Sequence, residues 1–422
     1  MNDIAIIGLG YVGLPLAIEF GKKRTTYGFD INNKRILELN ECIDTTKEVC
    51  ESDFEQAKNL IFTNNIQDLK KCKYFIITVP TPINDDKTPD LSFIISVTES
   101  LSKIIKKGSV LIYESTVFPG CTEDICIPII NKISGFKLNE EFFVGYSPER
   151  INPGDKNNKL TSIIKVTSGS NPEIAIEIDN LYKSIITAGT HMASSIKVAE
   201  ASKAIENAQR DLNISFMNEI AIIFDKLSIN TNEVLEAAGT KWNFLKYQPG
   251  LVGGHCIGVD PYYLTHIAAK NDYYPEVILS GRRINENMGK FIAEKIVRLL
   301  IKQSFPVSNS NILILGFSFK ENCSDIRNTG VYKLYKNLLE YRTNITIHDP
   351  NVSEEEVFEE YGIKLKKDIS KMKFDAIIIA VPHNVFLNYD FNDFKSKKES
   401  VLFDVKSLVK RNNLNFIVNG EL

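Results

Sequence analysis

Short apolar blocks recur along the chain, separated by longer stretches with helical periodicity. Residues 3–8, centred on Ile4-Ala5-Ile6-Ile7, are too short for a helix and run straight into Gly8. That is the pattern of a parallel strand buried on both faces. A helical pattern follows over 12–22, and a second strand over 26–29 ends at Asp30. Further strands are predicted over 74–79, 109–114 and 142–146, with helical stretches between them. Alternation of strand and helix predicts a doubly wound parallel sheet with helices on both faces. From about 195 to 302 the helix period dominates, over 196–227 and 275–302, broken by a glycine-rich loop at 249–258. Strands resume at 312–316, 343–348, 374–381 and 401–405, after the turn-forming Asn309-Ser310-Asn311. The expected fold is therefore α/β: two Rossmann-like doubly wound parallel-sheet domains, 1–194 and 303–422. A central helical region, 195–302, would join them and form a dimer interface.

Composition narrows the class. With 422 residues the chain exceeds one ordinary core, and its 43% hydrophobic and 24% charged content suits a soluble globular protein. A net charge of −3 gives no global field for nucleic acid or an anionic membrane. No apolar run reaches membrane-spanning length, and the N-terminus lacks the basic and cleavage features of a secretory signal. The seven cysteines are scattered, odd in number and without a CxxC pair. They predict neither a disulfide framework nor a metal site, and they fit a reducing cytoplasm.

Gly8-Leu9-Gly10-Tyr11-Val12-Gly13 matches G-x-G-x-x-G between a predicted strand and a predicted helix, where the mechanism requires it. Gly8 permits the tight turn, Gly10 lets a pyrophosphate approach the backbone, and Gly13 lets helix and strand pack closely. The helix N-terminus then faces the phosphates. Asp30 stands about 20 residues on, where an acid binds ribose hydroxyls and repels a 2′-phosphate, so NAD is expected over NADP. Arg35 could cover the adenine or be an ordinary solvated helix residue.

The most informative stretch is Gly250-Leu251-Val252-Gly253-Gly254-His255-Cys256-Ile257-Gly258-Val259-Asp260-Pro261. Glycines around Cys256 allow a bend that a substrate can approach. Asp260-Pro261 reads as N-cap and first residue of the next helix, whose positive end lowers a nearby thiol pKa. Cys256 is thus the candidate nucleophile, and His255 is read as structural. Lys203, Asn207 and Arg210, at i, i+4 and i+7, share one helix face. They could hold hydroxyls and phosphates or be a solvated face, and spacing alone does not separate the two.

Together with Val79-Pro80-Thr81-Pro82, Glu114-Ser115-Thr116-Val117-Phe118-Pro119-Gly120, Tyr146-Ser147-Pro148-Glu149-Arg150 and Gly316-Phe317-Ser318-Phe319-Lys320, these motifs occur in an order that resembles the UDP-glucose/GDP-mannose dehydrogenase family. The resemblance covers nearly the whole chain. Stretches such as Lys241-Trp242-Asn243-Phe244-Leu245 bring it nearest to bacterial UDP-N-acetylglucosamine 6-dehydrogenases of capsule and O-antigen pathways, some of which take the galactosamine epimer. Relatives acting on plain glucose carry an Arg before the glycine loop where Lys241-Trp242-Asn243 stands here. The resemblance implies a cytoplasmic homodimer that oxidises the C6 alcohol of a UDP-sugar to a carboxylate with NAD. It implies Cys256 as nucleophile. Lys203 and Asp260 would handle protons and the oxyanion, and Thr116, Glu149 and Asn207 would position C6 and a water. Arg150, Ile151, Arg210, Gly253 and Lys320 would meet the substrate, and Thr81, Thr116 and Arg327 the NAD.

Such an oxidation removes four electrons, so two NAD are consumed, and covalent capture by Cys256 retains the aldehyde between the hydride transfers. Two other readings stand beside this one. A two-electron hydroxyacid dehydrogenase would not need Cys256 in a glycine loop. A non-catalytic nucleotide-sugar-binding protein would not combine Cys256, Lys203 and Asp260.

Overall fold

β1 (Ile4–Ile7), β2 (Thr26–Phe29), β3 (Leu60–Thr63), β4 (Tyr74–Ile77), β5 (Ser109–Tyr113), β6 (Phe142–Tyr146), β7 (Lys165–Gly169) and β8 (Thr190–Met192) form one sheet in the order β3-β2-β1-β4-β5-β6-β7-β8. These features come from a computed structural model, which describes residues 3–151, 159–254, 257–414 and 416–422. The strands β1, β4 and β5 are buried throughout, which is why they read as unbroken apolar blocks. Ile7 pairs with Phe29 on one side and Ile77 on the other, so β1 is the strand at which the winding reverses. Its C-terminal end is therefore the crevice in which doubly wound sheets bind ligands.

The sheet is dominated by parallel pairs, with one exception. The sheet is not parallel throughout, because β6 and β7 run antiparallel, with Gly145 opposite Gly169 and Tyr146 opposite Ser168. β7 escaped detection because its Lys-Val-Thr-Ser-Gly composition is polar, although Lys165 to Ser168 are buried. β3 and β8 lie at the sheet edges and are partly exposed; β3 is still apolar at Leu60, Ile61 and Phe62, whereas β8, Thr-His-Met, carries no apolar run.

The second sheet, β10-β9-β11-β12-β13, is parallel: β9 (Asn311–Leu315), β10 (Asn344–His348), β11 (Ala376–Ile379), β12 (Val401–Asp404) and β13 (Gly420–Glu421). β9 is again flanked on both sides by parallel partners, β10 and β11.

The chain divides into two compact units, 1–206 with 262–274, and 207–261 with 275–422. The helical stretch is shared between them. Its longest element, Ile196–Leu227, carries Lys203 in the first unit and Asn207 in the second. Ile4, Ile6, Leu14, Phe20, Ile112 and Tyr182 lie in the first core. Met288, Ile292, Ile314, Phe317, Leu334 and Phe403 lie in that of the second. The helix Glu276–Lys302 buries Met288, Ile292 and Ile296 at helical spacing in that second core.

Candidate active site

In the first unit the glycine turn is built for a cofactor. Gly8 sits at φ +93°. A Cβ on Gly13 would lie 1.8 Å from the Gly8 carbonyl oxygen and 2.5 Å from Thr78 Oγ1, so no other residue fits. Above Gly10, by contrast, nothing lies within 4 Å of where a Cβ would stand. The backbone there is open to a large ligand group, which is what a pyrophosphate needs. Asp30 follows β2 and accepts from the Leu9 amide at 2.9 Å and the Asn32 amide at 2.9 Å, which fixes its carboxylate beside the turn while leaving it part-exposed. The helix Gly13–Gly21 starts directly after the turn. These residues fit a dinucleotide.

Arg35 lies beside the same turn. It is buried and donates from Nε to the Leu9 carbonyl (3.0 Å), and it also meets Thr45 and Asp44. It braces the turn from behind. Tyr11 and Val12 complete the loop leading into the helix.

The loops after β4 and β5 are tied together. Thr81 donates to the Thr116 carbonyl at 2.7 Å and Ser115 to the Val79 carbonyl at 2.6 Å. Tyr263 donates to the Thr81 carbonyl at 2.7 Å. Thr81 and Thr116 are therefore joined directly. Glu200, fully buried on the helix Ile196–Leu227, accepts from the amides of Gly120 and Thr122 and pins the end of the same loop. Burial pushes its carboxyl up to about 7 against those donors.

Glu149 is buried after β6. Oε1 accepts from the amides of Arg150 and Ile151, and Oε2 from Lys165 Nζ at 3.0 Å. Arg150 is held by the Ile164 carbonyl and by Glu206 at 2.8 Å. Lys203 is only 8% exposed, yet it makes no ion pair with any described residue. A buried ammonium without a counter-ion is costly, and an anionic or oxyanionic ligand would relieve it.

In the second unit, Asn207 donates to the Asp260 carboxylate, and both are buried. The helix Asp260–Lys270 begins at Asp260, one residue earlier than the capping pattern suggested, so this carboxylate sits in the first turn. Gly253 faces Asn328 and Gly330, and the Gly254 amide donates to the Arg327 carbonyl at 3.1 Å. This anchors the start of the reactive loop to the segment carrying Arg327, whose guanidinium is paired to Asp325. Cys256 and His255 lie outside the described residues. Lys320 follows β9 on the loop that begins at Gly316, and Arg210 lies on the long helix beyond Asn207.

Sequence reading missed several buried partners. Glu114, Lys165 and Tyr182 stand behind Glu149; Glu114 opens a motif quoted from the sequence but was given no role there, and Lys165 and Tyr182 lie in no motif that spacing could flag. His383 and Asp349 were also missed. Asp349 carried a usable signal, because it follows β10 as Asp30 follows β2.

Comparison with known proteins adds identity to this geometry. Residues 2–186 match the NAD binding domain of the UDP-glucose/GDP-mannose dehydrogenase family, 197–287 its central domain and 313–411 its UDP binding domain. The chain is 55% identical over 408 residues to a UDP-N-acetyl-D-glucosamine 6-dehydrogenase of Pseudomonas aeruginosa, spanning 96% of this chain and 97% of that one. It is 54% identical to the protein of the same name from Salmonella typhi, over 96% and 95%. Among solved structures, a UDP-N-acetylmannosamine dehydrogenase from Pyrococcus horikoshii superposes with a TM-score of 0.89 at 28% identity, covering 99% of this chain and 98% of that one.

Proposed function

The chain belongs to the UDP-glucose/GDP-mannose dehydrogenase family and is an NAD-dependent nucleotide-sugar dehydrogenase; from that premise we propose that it oxidises UDP-N-acetyl-D-glucosamine at C6 to the uronate, and that Cys256 is its nucleophile. The substrate is carried over from relatives that share more than half of their residues with it along almost their whole length. The observation that carries the site assignment is Lys203, a buried ammonium with no described counter-ion.

The Gly8–Gly13 turn and Asp30 would hold NAD, which would supply the hydride acceptor for C6. Lys203 supplies a fixed positive donor to the oxygen on C6, where negative charge develops as its proton leaves. Asn207 holds Asp260 in one orientation, so that its carboxylate accepts a proton or aligns water at one place. The Cys256 thiolate adds to the aldehyde and gives a thiohemiacetal. Loss of the second hydride leaves a thioester, and water attacks that carbon and expels the thiolate. Thr116 and Glu149 orient the sugar and that water. By the family pattern, Arg150, Ile151, Arg210, Gly253 and Lys320 are assigned to the sugar nucleotide, and Thr81 and Arg327 to the cofactor.

We also propose a homodimer with the domain division 1–194, 195–302 and 303–422. Phe216, Ile223 and Leu227 are exposed along one face of the helix Ile196–Leu227, and their spacing supports a buried helix–helix contact. Among the described residues no helix is long and apolar enough to cross a membrane. The free cysteines Cys42, Cys50, Cys72, Cys121, Cys126 and Cys323 support a cytoplasmic location.

A panel of UDP-sugars, assayed by NADH formation, tests the substrate. UDP-N-acetyl-D-glucosamine should show the highest kcat/KM, and preference for the galactosamine epimer would overturn the choice. Cys256→Ala should end uronate formation while NAD and UDP-sugar still bind, and turnover like the wild type would remove the nucleophile.

A further inference from the structure

Behind Glu149 lies a closed group of ionisable side chains to which the reaction assigns no role. Lys165 Nζ sits between two carboxylates, 2.7 Å from Glu114 Oε2 and 3.0 Å from Glu149 Oε2. Tyr182 donates its hydroxyl to Glu114 Oε1. Its ring lies 5.5 Å from Lys165 Nζ. All four are at least nine-tenths buried: Lys165 is 2% exposed, Glu114 2%, Glu149 7% and Tyr182 0%. They come from four places in the fold, β7, the end of β5, the loop after β6 and the helix Pro172–Lys183. No other charged side chain of the described residues pairs with Lys165 or with either carboxylate, and Ser147 is the remaining polar neighbour, beside Tyr182.

A buried lysine between two carboxylates is expensive, and apolar residues would pack as well. Stability alone gives no reason for it. Its geometry does give one. Glu149 receives two backbone amides on Oε1 and the ammonium on Oε2. Those donors occupy both lone-pair positions of Oε1 and one of Oε2. What remains, among the described residues, is one acceptor position on Oε2.

We infer that Lys165 is a positioning residue for the oxidation, which holds Glu149 as a fixed, permanently ionised acceptor, with Glu114 and Tyr182 anchoring the ammonium from behind. The inference rests on the proposed role of Glu149 in orienting sugar and water. It assigns Glu149 a narrower part within that role: it accepts a hydrogen bond and never carries a proton through the cycle. The charges agree with this division. Burial would raise the Glu149 carboxyl, but Lys165 and the two amides hold it below its ordinary value. Burial does raise that of Glu114, more than Lys165 lowers it, so any proton taken by the pair goes to Glu114. Protonating Glu114 leaves the lysine paired with Glu149 alone, and the acceptor stays intact.

The test is the pH profile of kcat with NAD and UDP-N-acetyl-D-glucosamine. In the double variant Lys165→Met with Glu114→Gln, the anion behind and the cation are removed together, so no unpaired charge is created beside Glu149. Glu149 then loses its counter-charge while still buried, and a new acid limb should open. Turnover should drop at least tenfold at pH 5.5 relative to pH 8, and most of it should return at pH 8. Glu114→Gln alone should open no such limb, because Lys165 remains, and Lys165→Arg should restore a flat profile. A double variant that loses turnover equally at every pH, or keeps the wild-type profile, overturns the inference. So does a Glu114→Gln protein with the same acid limb. Should the double variant not fold, isotope-edited infrared spectra of the wild type minus Glu149→Gln decide the matter. They should show the Glu149 carboxylate band down to pH 5, and a protonated carboxyl band there would refute the inference. Full turnover by Glu149→Gln would instead remove the role of Glu149, and the infrared result would still stand on its own.

Discussion

Two turns in this molecule occupy the same place in two similar sheets and do different work. In the first sheet Gly8 follows β1, and Asp30 follows the neighbouring β2. In the second Gly316 follows β9, and Asp349 follows the neighbouring β10. Both glycines have left-handed φ, +93° and +88°. Both aspartates accept from the amide of the residue after that glycine, Leu9 at 2.9 Å and Phe317 at 2.7 Å. There the likeness ends. Asp30 is part-exposed and open to a ribose. Asp349 is buried and also accepts from Ser318, and His383 Nε2 lies 3.0 Å from the same oxygen. Burial would raise its carboxyl, but the His383 ring and the amides of Phe317 and Asn351 hold it low. The second turn has Ser318 where the first has Gly10, and its helix, Gly330–Glu340, starts only after a longer loop. His383 Nδ1 accepts from the Asn322 amide, so the ring ties both ends of the loop carrying Lys320. One turn is open above Gly10, and the other is closed by hydrogen bonds among Asp349, Ser318, His383 and Asn322. A repeated fold does not imply a repeated site.

Substitutions can separate the two turns. Gly13→Ala should have the largest effect. Its Cβ meets backbone at 1.8 Å, so the turn cannot close. NAD binding should be lost in calorimetry while UDP-sugar binding persists. Asp349→Ala should come next, leaving buried donors unmatched at a cost of about 3–5 kcal/mol, read as a lower melting temperature and weaker UDP-sugar binding with NAD affinity retained. If either variant weakens both ligands equally, the two turns are not independent sites. Asp30→Ala should cost less, roughly tenfold to a hundredfold in NAD affinity as a charged hydrogen-bond acceptor is lost, and should narrow the preference over NADP. Equal turnover of wild type with NADP and NAD would refute the role of Asp30.

A separate effect, on stability rather than on ligand affinity, is in pH dependence. Burial raises Glu200 to about 7, from an unfolded value near 4.5. Folding therefore favours the protonated acid, and no penalty exists below about pH 4.5. Stability should fall as pH rises from there to 7, by up to about 3 kcal/mol, and level off above. Chemical denaturation across that range should show the slope in wild type and lose it in Glu200→Gln. An unchanged slope would free Glu200 of it.

What could be read from sequence follows from how each part is stabilised. Buried central strands need apolar residues at every position, so β1, β4, β5 and β9 declared themselves. β7 did not, because its burial is satisfied by hydrogen bonds and an ion pair rather than by apolar area. The glycine turn was legible because no other residue fits Gly13. The burial of Arg35 and its bond to Leu9 were not, since a solvated helix arginine and a buried one look alike in sequence. The partners of Glu149 and Asp349 come from distant strands, and no local spacing brings Lys165 or His383 to them.

The central claim is a four-electron oxidation at one site. The most direct measurement is the ratio of NADH formed to UDP-N-acetyl-D-glucosamine consumed, taken to completion with limiting sugar nucleotide. The account predicts two NADH per sugar, with the uronate as product. One NADH per sugar, with an aldehyde or ketone released, would contradict it.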